Sequence, residues 1–477
     1  MSNAQTSNDD AASLPGVKRS RLVCLIAVAF VATLVWSLSM IAISRSDPSA
    51  GWSNVHSLWP YWFASLALWG GLSLIARRAN AGEPFSYRST VMLIVTVAIA
   101  ARVLTISTTR PQLSDDMWRY LDDGRMLARG VNPYKEAPAV REIGSGIPVQ
   151  VINHPQLVTV YQPASQYVFV TVTKLHGTCP AWYVQWDPWG DRLFRLMFVL
   201  FDLVLIAMIL VALRGESRSP WWAALYAWHP LAISETGSAG HQDVIGIALL
   251  FTSLWLVSRL LQTRHLWYAI IAGLLFAAAI AVKPVIAPLA VLIVWHLRRQ
   301  PAAIAIGLVA CVGAGAALYL PFVNMDGGME GAFETADTFV REWAFNSSVH
   351  APLSRVLMSK LLANFFIWAL LALILVISIA KEHDLWRGSM VFLFASLLLS
   401  STAHPWYLLW ALALLPMRFN IALWVWSLTI GWSYAVLIDP AVYRVPIWVG
   451  VIEFLPVYAL LIYSPGDVKP RQPMSMA

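Results

Sequence analysis

The sequence predicts an all-α protein, a polytopic transmembrane helical bundle of about 12–14 spans with long extracytoplasmic loops carrying short helices. Three observations carry that prediction. Hydrophobic residues make up 58% of the 477 and charged residues only 12%, whereas a soluble domain carries about 25% charged residues. Apolar runs recur at the length of about twenty residues that crosses a hydrocarbon core. Basic residues fall in pairs between those runs, which is how topology is fixed in a membrane.

The apolar runs place candidate spans at about 22–44, 57–76, 89–107, 194–213, 221–236, 243–261, 266–282, 284–297, 302–322, 361–380, 388–403, 406–416, 420–438 and 446–464. The first follows Lys18 and Arg19 and is roughly twice the length of a signal-peptide apolar region, so it reads as an uncleaved anchor. Residues 1–20, rich in Ser, Asn and Asp, read as a disordered cytoplasmic tail; 21–464 form a single transmembrane domain, and 465–477 a second cytoplasmic tail. The run at 406–416 is too short to cross alone and should be broken or tilted.

With the N-terminus in the cytoplasm and strict alternation, every short cytoplasmic connection receives a basic residue: Arg77 and Arg78, Arg214 and Arg218, Arg259 and Arg264, Arg298 and Arg299, Lys381 and Arg387, Arg418. The short outer loops hold only Arg45, Lys283 and Arg444. The net charge of +7 therefore serves topology; no basic stripe forms, which excludes a nucleic-acid partner. Many of the 24 Trp sit where apolar runs meet polar loops, as an aromatic belt requires. Cys24, Cys179 and Cys311 stand apart and predict neither a disulfide framework nor a metal site.

Two outer segments, about 108–193 and 323–360, are too long to be mere connectors, and loops of that length are usually functional. The first should carry short amphipathic helices lying on the membrane surface. It opens with Ser114-Asp115-Asp116-Met117-Trp118-Arg119-Tyr120-Leu121-Asp122-Asp123-Gly124-Arg125, two acidic pairs on about the same helix face with arginines nearby. Adjacent carboxylates raise each other's proton affinity, which suits a general base taking a proton from a sugar hydroxyl. Ser114 or Asp115 would also cap the helix, and the two roles are compatible.

Further ionisable groups map to the same face. Gly237-Ser238-Ala239-Gly240-His241-Gln242-Asp243 forms a turn whose His241 and Asp243 could bind a hydroxyl or phosphate. His404-Pro405 could start a broken helix with free N–H groups facing a cavity, and Lys283 sits between apolar runs, where a charge is costly and a phosphate is a natural partner. Arg341, in Arg341-Glu342-Trp343-Ala344-Phe345-Asn346, adds a phosphate-binding guanidinium beside aromatic rings that suit sugar faces. Asp202 and Glu453 lie inside apolar spans without an evident partner.

Ser114 to Tyr134, SDDMWRYLDDGRMLARGVNPY, resembles the signature of bacterial polyprenol-phosphate-dependent mannosyltransferases of the GT-C superfamily, S-D-D-x-x-R-Y-x-W-D-G-R followed by G-x-N-P-Y. Matching stretches follow in order: Val151 to Gln166, Trp228 to Asp243, Ala281-Val282-Lys283, Trp343 to Ser347 and His404 to Trp410. The resemblance spans about 110 to 410. It implies a GT-C-type fold and inverting hexosyl transfer, of mannose, from a polyprenyl-phosphate donor to a lipid or glycan acceptor hydroxyl on the outer face of a bacterial inner membrane. It places the catalytic base at Asp115 or Asp116. Substrate contacts fall on Arg119, Asp123 and Arg125 within the matched pattern, and on His241, Asp243, Lys283 and His404 as donor-site positions; Arg341 joins them as a cation for the leaving phosphate. Two departures stand out: Asp122 replaces the usual Trp, and Gln162 a common second Pro. A divalent metal at the acidic pair is compatible with this chemistry and not required by it, because the leaving group is a single phosphate. The rival reading, a transporter or flippase of lipid-linked sugars, predicts essential charges near mid-bilayer and paired repeats; no such repeat is visible.

Overall fold

A computed structural model describes residues 86–111, 113–438 and 444–463. The expected spans at 22–44 and 57–76 and both tails lie outside the described residues. The described chain is helical. Among the described residues the only β pairing is one isolated parallel bridge between Phe345 and Thr402.

The helices run in chain order as α1 (Tyr87–Thr108), α2 (Asp116–Ala128), α3 (Pro163–Gly177), α4 (Ala181–Trp186), α5 (Asp191–Gly215), α6 (Ala224–Ala227), α7 (Pro230–Ile233) and α8 (Asp243–Thr263). They continue as α9 (Trp267–Ile280), α10 (Leu289–Leu297), α11 (Pro301–Val323), α12 (Glu330–Glu342), α13 (His350–Val356) and α14 (Lys360–Ala380). The last are α15 (Leu385–Leu399), α16 (Leu409–Leu412), α17 (Ile421–Thr429) and α18 (Ile447–Tyr463). Five of these, α1, α5, α8, α11 and α14, are long and apolar enough to cross a membrane, and shorter apolar helices at Trp267–Ile280, Pro284–Leu297, Leu385–Leu399, Ile421–Leu437 and Ile447–Tyr463 pack among them. The fold is a helical membrane bundle.

Four of the predicted spans are not continuous α-helices: 284–297 opens with a 3-10 turn (Pro284–Ile286), 420–438 closes with a 3-10 stretch (Ile430–Ile438), and two others are broken into shorter pieces. The run at 221–236 becomes a 3-10 turn (Pro220–Ala223), α6, α7 and a single π turn (Ser234–Ser238). The run at 406–416 becomes a 3-10 turn (Pro405–Leu408) and α16. Both begin or break at a histidine–proline step. His229 and His404 each precede a proline and take extended backbone, with ψ of 127° and 150°, because the proline ring excludes the helical region for the residue before it. Leu408 to Met417 are buried, so the irregular backbone is sheltered by protein, the condition under which it is tolerated at membrane depth.

The periphery faces lipid. On α11, Leu308, Val309 and Val312 are exposed, while Gly273 of α9 lies so close that an added Cβ would meet the Gly307 carbonyl oxygen at 2.3 Å. Small residues at a helix contact allow that approach in the absence of a hydrophobic driving force. Inside, Arg102 of α1 pairs with Asp202 of α5, and both are fully buried. Tyr226 donates to Asp202 at 2.7 Å and Arg102 donates to the Ala227 carbonyl at 2.8 Å, so the pair also anchors the broken segment. Glu453 of α18 accepts from Trp426 at 2.6 Å and from Asn346 at 2.8 Å.

The two long segments, 109–190 and 324–359, carry α2 to α4 and α12 to α13 at the same end of the bundle, as contacts of Asp116 with His241 and of Phe345 with His404 require. Short helices do lie in both segments, and α4 exposes Trp182 and Trp186.

Candidate functional site

Helix α2 brings the acidic pair to that end. Ser114 Oγ accepts from the Asp116 amide at 3.2 Å, and Asp115 occupies the N-cap position without a side-chain cap bond. The capping duty therefore falls on Ser114, and the Asp115 carboxylate stays open to solvent. Met117, Tyr120 and Leu121 bury the opposite face of α2, each such side chain stabilising by about 1.5–3 kcal/mol. Tyr120 stacks on Phe169 of α3 at 4.7 Å.

Most charges of the matched pattern hold the loop above α2. Arg119 donates to the Leu157 carbonyl at 2.6 Å and reaches those of Asn153 and His154 at 3.3 and 3.4 Å. Its Nε lies 3.4 Å from Asp123, which also accepts from Gln166 at 2.9 Å. Arg125 donates to the Trp189 carbonyl at 3.0 Å and lies over the Trp189 ring. The departure at Asp122 has a structural account: it forms a buried ion pair with Arg141 at 2.5 Å. Gln162 accepts from Tyr319 at 3.0 Å, joining the first long segment to α11. Together these bonds fold residues 153–157 back so that Asn153 donates to Asp116 Oδ1.

The facing wall comes from the broken segment. The π turn closes with the Ala239 amide on the Ser234 carbonyl at 2.9 Å, and π turns recur at functional positions. Gly240 follows at φ +73°, where a Cβ would come within 2.4 Å of Met117 Cε. That left-handed residue turns the chain so that the His241 amide bonds the Glu235 carbonyl at 2.7 Å. The His241 ring then sits between two carboxyl groups, with Nδ1 3.0 Å from Glu235 Oε2 and Nε2 3.7 Å from Asp116 Oδ2. The first contact is close but off the line of a hydrogen bond. Tyr434 fixes the other Glu235 oxygen at 2.5 Å.

A stack of rings backs His241: Trp406 at 3.8 Å and 11°, then His404 on Trp406 at 4.4 Å, then Phe345 on His404 at 4.2 Å. Phe345 is held by main-chain bonds of 2.9 Å to Ser401 and Ala403. Beside the stack, Asp243 accepts from Trp410 Nε1 at 2.8 Å and pairs with Lys283 at 2.5 Å. The Lys283 ammonium also lies 3.2 Å from the Tyr407 ring centroid.

The electrostatics favour a proton acceptor. Burial pushes the Asp116 carboxyl up to about 6, the Asp115 charge adding to the rise and His241 opposing it. Asp115 is raised as well, by the surrounding protein despite its open side, with His154 and Asn153 opposing. Both carboxyls are thus better bases than a solvated aspartate.

The structure gathers Asp115, Asp116, His241, Asp243, Lys283 and His404 at one end of the bundle. Arg119, Asp123 and Arg125 spend their polar atoms on the loop above. Arg341 pairs with Asp337 at 2.6 Å, one turn back on α12, and stays half exposed, while the Trp343 ring two residues on lies tilted against His154 at 4.3 Å. Sequence reasoning passed over Glu235 and Asn153. Glu235 had a signal: a charge inside an apolar run is a functional suspect by default. Among the described residues no group of three or more His, Cys, Asp or Glu is arranged to hold a metal ion.

Residues 21–299, more than half of the chain, match the family model described as alpha-(1->6)-mannopyranosyltransferase, N-terminal domain. No curated protein and no solved structure matches the chain.

Proposed function

The chain belongs to the alpha-(1->6)-mannopyranosyltransferase family, and from that premise we propose that it moves mannose from a polyprenyl-phosphate donor to a hydroxyl of a lipid or glycan acceptor. The reaction takes place on the extracytoplasmic face of a bacterial inner membrane and inverts the anomeric centre. The observation that carries this reading is the Asp116 carboxyl, raised to about 6 and held by Asn153 opposite Lys283 and Asp243 at one end of the helices.

Asp116 takes the proton of the acceptor hydroxyl as its oxygen bonds to the anomeric carbon. The bond from that carbon to the phosphate oxygen breaks, and its electron pair leaves on the polyprenyl phosphate. Lys283, released from Asp243, offsets the charge that develops on the phosphate, with Arg341 adding a cation at the rim. Asp115, open to solvent, keeps the local field negative and so maintains the proton affinity of its neighbour. Placement at the helix ends, rather than at mid-span in a cavity open to both sides, supports the enzyme over a transporter of lipid-linked sugars.

The test is transfer from radiolabelled polyprenyl-phosphate mannose in membranes carrying wild type or Asp116→Asn at equal protein level. Transfer by wild type that the variant loses supports the reading. Full activity in Asp116→Asn would remove this carboxylate from the mechanism, and no transfer by wild type would sink the mannosyl donor.

A further inference from the structure

Glu235 has no role in the transfer just described, and its burial needs a reason. It is fully buried on the π turn, its Oε1 is held by Tyr434, and its Oε2 points at His241 Nδ1. Burying a carboxylate is costly unless partners compensate. On the Oε2 side the partner is an imidazole, which can trade protons with it. The opposite ring nitrogen faces Asp116 Oδ2 at 3.7 Å, and neither ring nitrogen makes an aligned hydrogen bond to any group, so these two carboxyls are the nearest acidic partners of the ring. The broken segment and α2 thus bring carboxylate, imidazole and carboxylate side by side.

Resting on the mannosyl-transfer reading, we propose that Glu235, His241 and Asp116 form a proton relay, in which Glu235 is a positioning residue that keeps the proton of neutral His241 on Nδ1 and leaves the Nε2 lone pair facing Asp116. A carboxylate can only accept a hydrogen bond, and Nδ1 lies nearer its carboxylate, at 3.0 Å, than Nε2 does to Asp116, at 3.7 Å, which favours the proton on Nδ1. The ring plane is held by the Trp406 stack at 3.8 Å.

In the transfer step the acceptor proton passes to Asp116 and on to Nε2. The resulting imidazolium lies between two carboxylates and over an indole face, both of which favour a cation. After the glycosidic bond has formed and the phosphate has left, the proton returns through Asp116 to solvent. Other charged groups around the ring are accounted for. Asp115 adjoins Asp116, Asp243 is paired with Lys283, and His404 is separated from His241 by the Trp406 ring. Arg195, packed under Gly240, directs its guanidinium to Asp191 and to the Thr109 and Gly237 carbonyls.

Two measurements test the relay. The first needs no substrate: nitrogen NMR of 15N-histidine-labelled protein in bilayers, with His241→Gln subtracted to isolate one ring. Nδ1 protonation of neutral His241 in wild type, lost in Glu235→Gln, supports the relay; an Nε2-protonated ring in wild type overturns it. The second is the pH dependence of transfer. Glu235→Gln should lower kcat about 100-fold, within the range of lost acid–base assistance, with little change in KM. Its acidic limb should move to lower pH, because removing a neighbouring negative charge weakens proton binding by the Asp116–His241 pair taken together. Glu235→Asp, which keeps the charge, should leave the limb in place. A Glu235→Gln enzyme that is slow with an unmoved limb would mark the residue as merely structural and overturn the relay. If wild type does not transfer mannose, the reaction assignment fails while the NMR result still decides the relay.

Discussion

The two ends of the bundle carry the same residue types and put them to different use. At the site end, Asp116, Glu235, His241, Asp243 and Lys283 are largely enclosed by protein, and each is held by specific partners. At the other end, Arg418 reaches Glu216 at 2.7 Å and Asp384 at 2.8 Å with all three side chains a quarter or more exposed, and Arg298 lies over Trp295. Water screens the second set, so its pairs contribute about 0–1 kcal/mol each and serve orientation and solubility. Enclosure removes that screening from the first set and shifts proton affinities, which is what catalysis needs.

The comparison breaks most visibly at Asp116. Asp116→Asn keeps the shape and the Asn153 contact but removes the base, and transfer should fall about 10²–10⁴-fold, the loss expected when a general base is removed. Retention of more than a tenth of wild-type transfer would place the site end in the same class as the other. Next in size is a stability effect between the two ends. Asp202→Ala strands the buried Arg102, and breaking one partner of such a pair costs about 3–5 kcal/mol. It should appear as loss of folded protein in detergent, measured by thermal unfolding; a Tm equal to wild type would show that the pair is not sealed from water. Lys283→Gln should lower kcat about 100-fold through the leaving phosphate, and a change confined to KM would make Lys283 a binding contact only.

The carboxylate environments also set a pH dependence. Asp116 must be ionised to act, and its raised value of about 6 places the acidic limb of transfer near pH 6, well above that of an exposed aspartate near 3.9. A rate that stays level from pH 7 down to pH 4.5 would contradict the enclosure of this carboxyl.

The sequence made the site end legible because its charges interrupt apolar runs at their edges. Asp115, Asp116, His241, Asp243, Lys283 and His404 could be assigned to one face by counting spans, and the structure puts them in one cluster. What counting could not supply was partnership. Glu235 lies in a run, 221–236, that reads as one helix; only the extended His229 before Pro230 and the π turn after it present the carboxyl to His241. Arg102 and Asp202 each look like an isolated charge in a span, and hydropathy does not say which helices will touch. Arg119, Asp123 and Arg125 fall inside the matched pattern, yet their polar atoms go to neighbouring carbonyls and Gln166, so a motif can mark residues that shape a site as readily as those that touch substrate.

The smallest expected effect sharpens the comparison from the other side. Arg418 makes two ion pairs, as many charged contacts as His241, and a count of contacts would rank the two alike. Solvent decides otherwise. Its pairs bridge α15, α16 and the end of α5 in partly wet surroundings, where side-chain entropy and screening cancel most of the Coulomb attraction. Arg418→Gln should therefore change unfolding stability by no more than about 1 kcal/mol and leave kcat and the acidic limb of transfer at wild-type values. A larger loss of stability would mean that this end is drier than its exposure indicates. A shifted limb would mean that its charge is felt across the bundle, and the division of labour between the two ends would then fail.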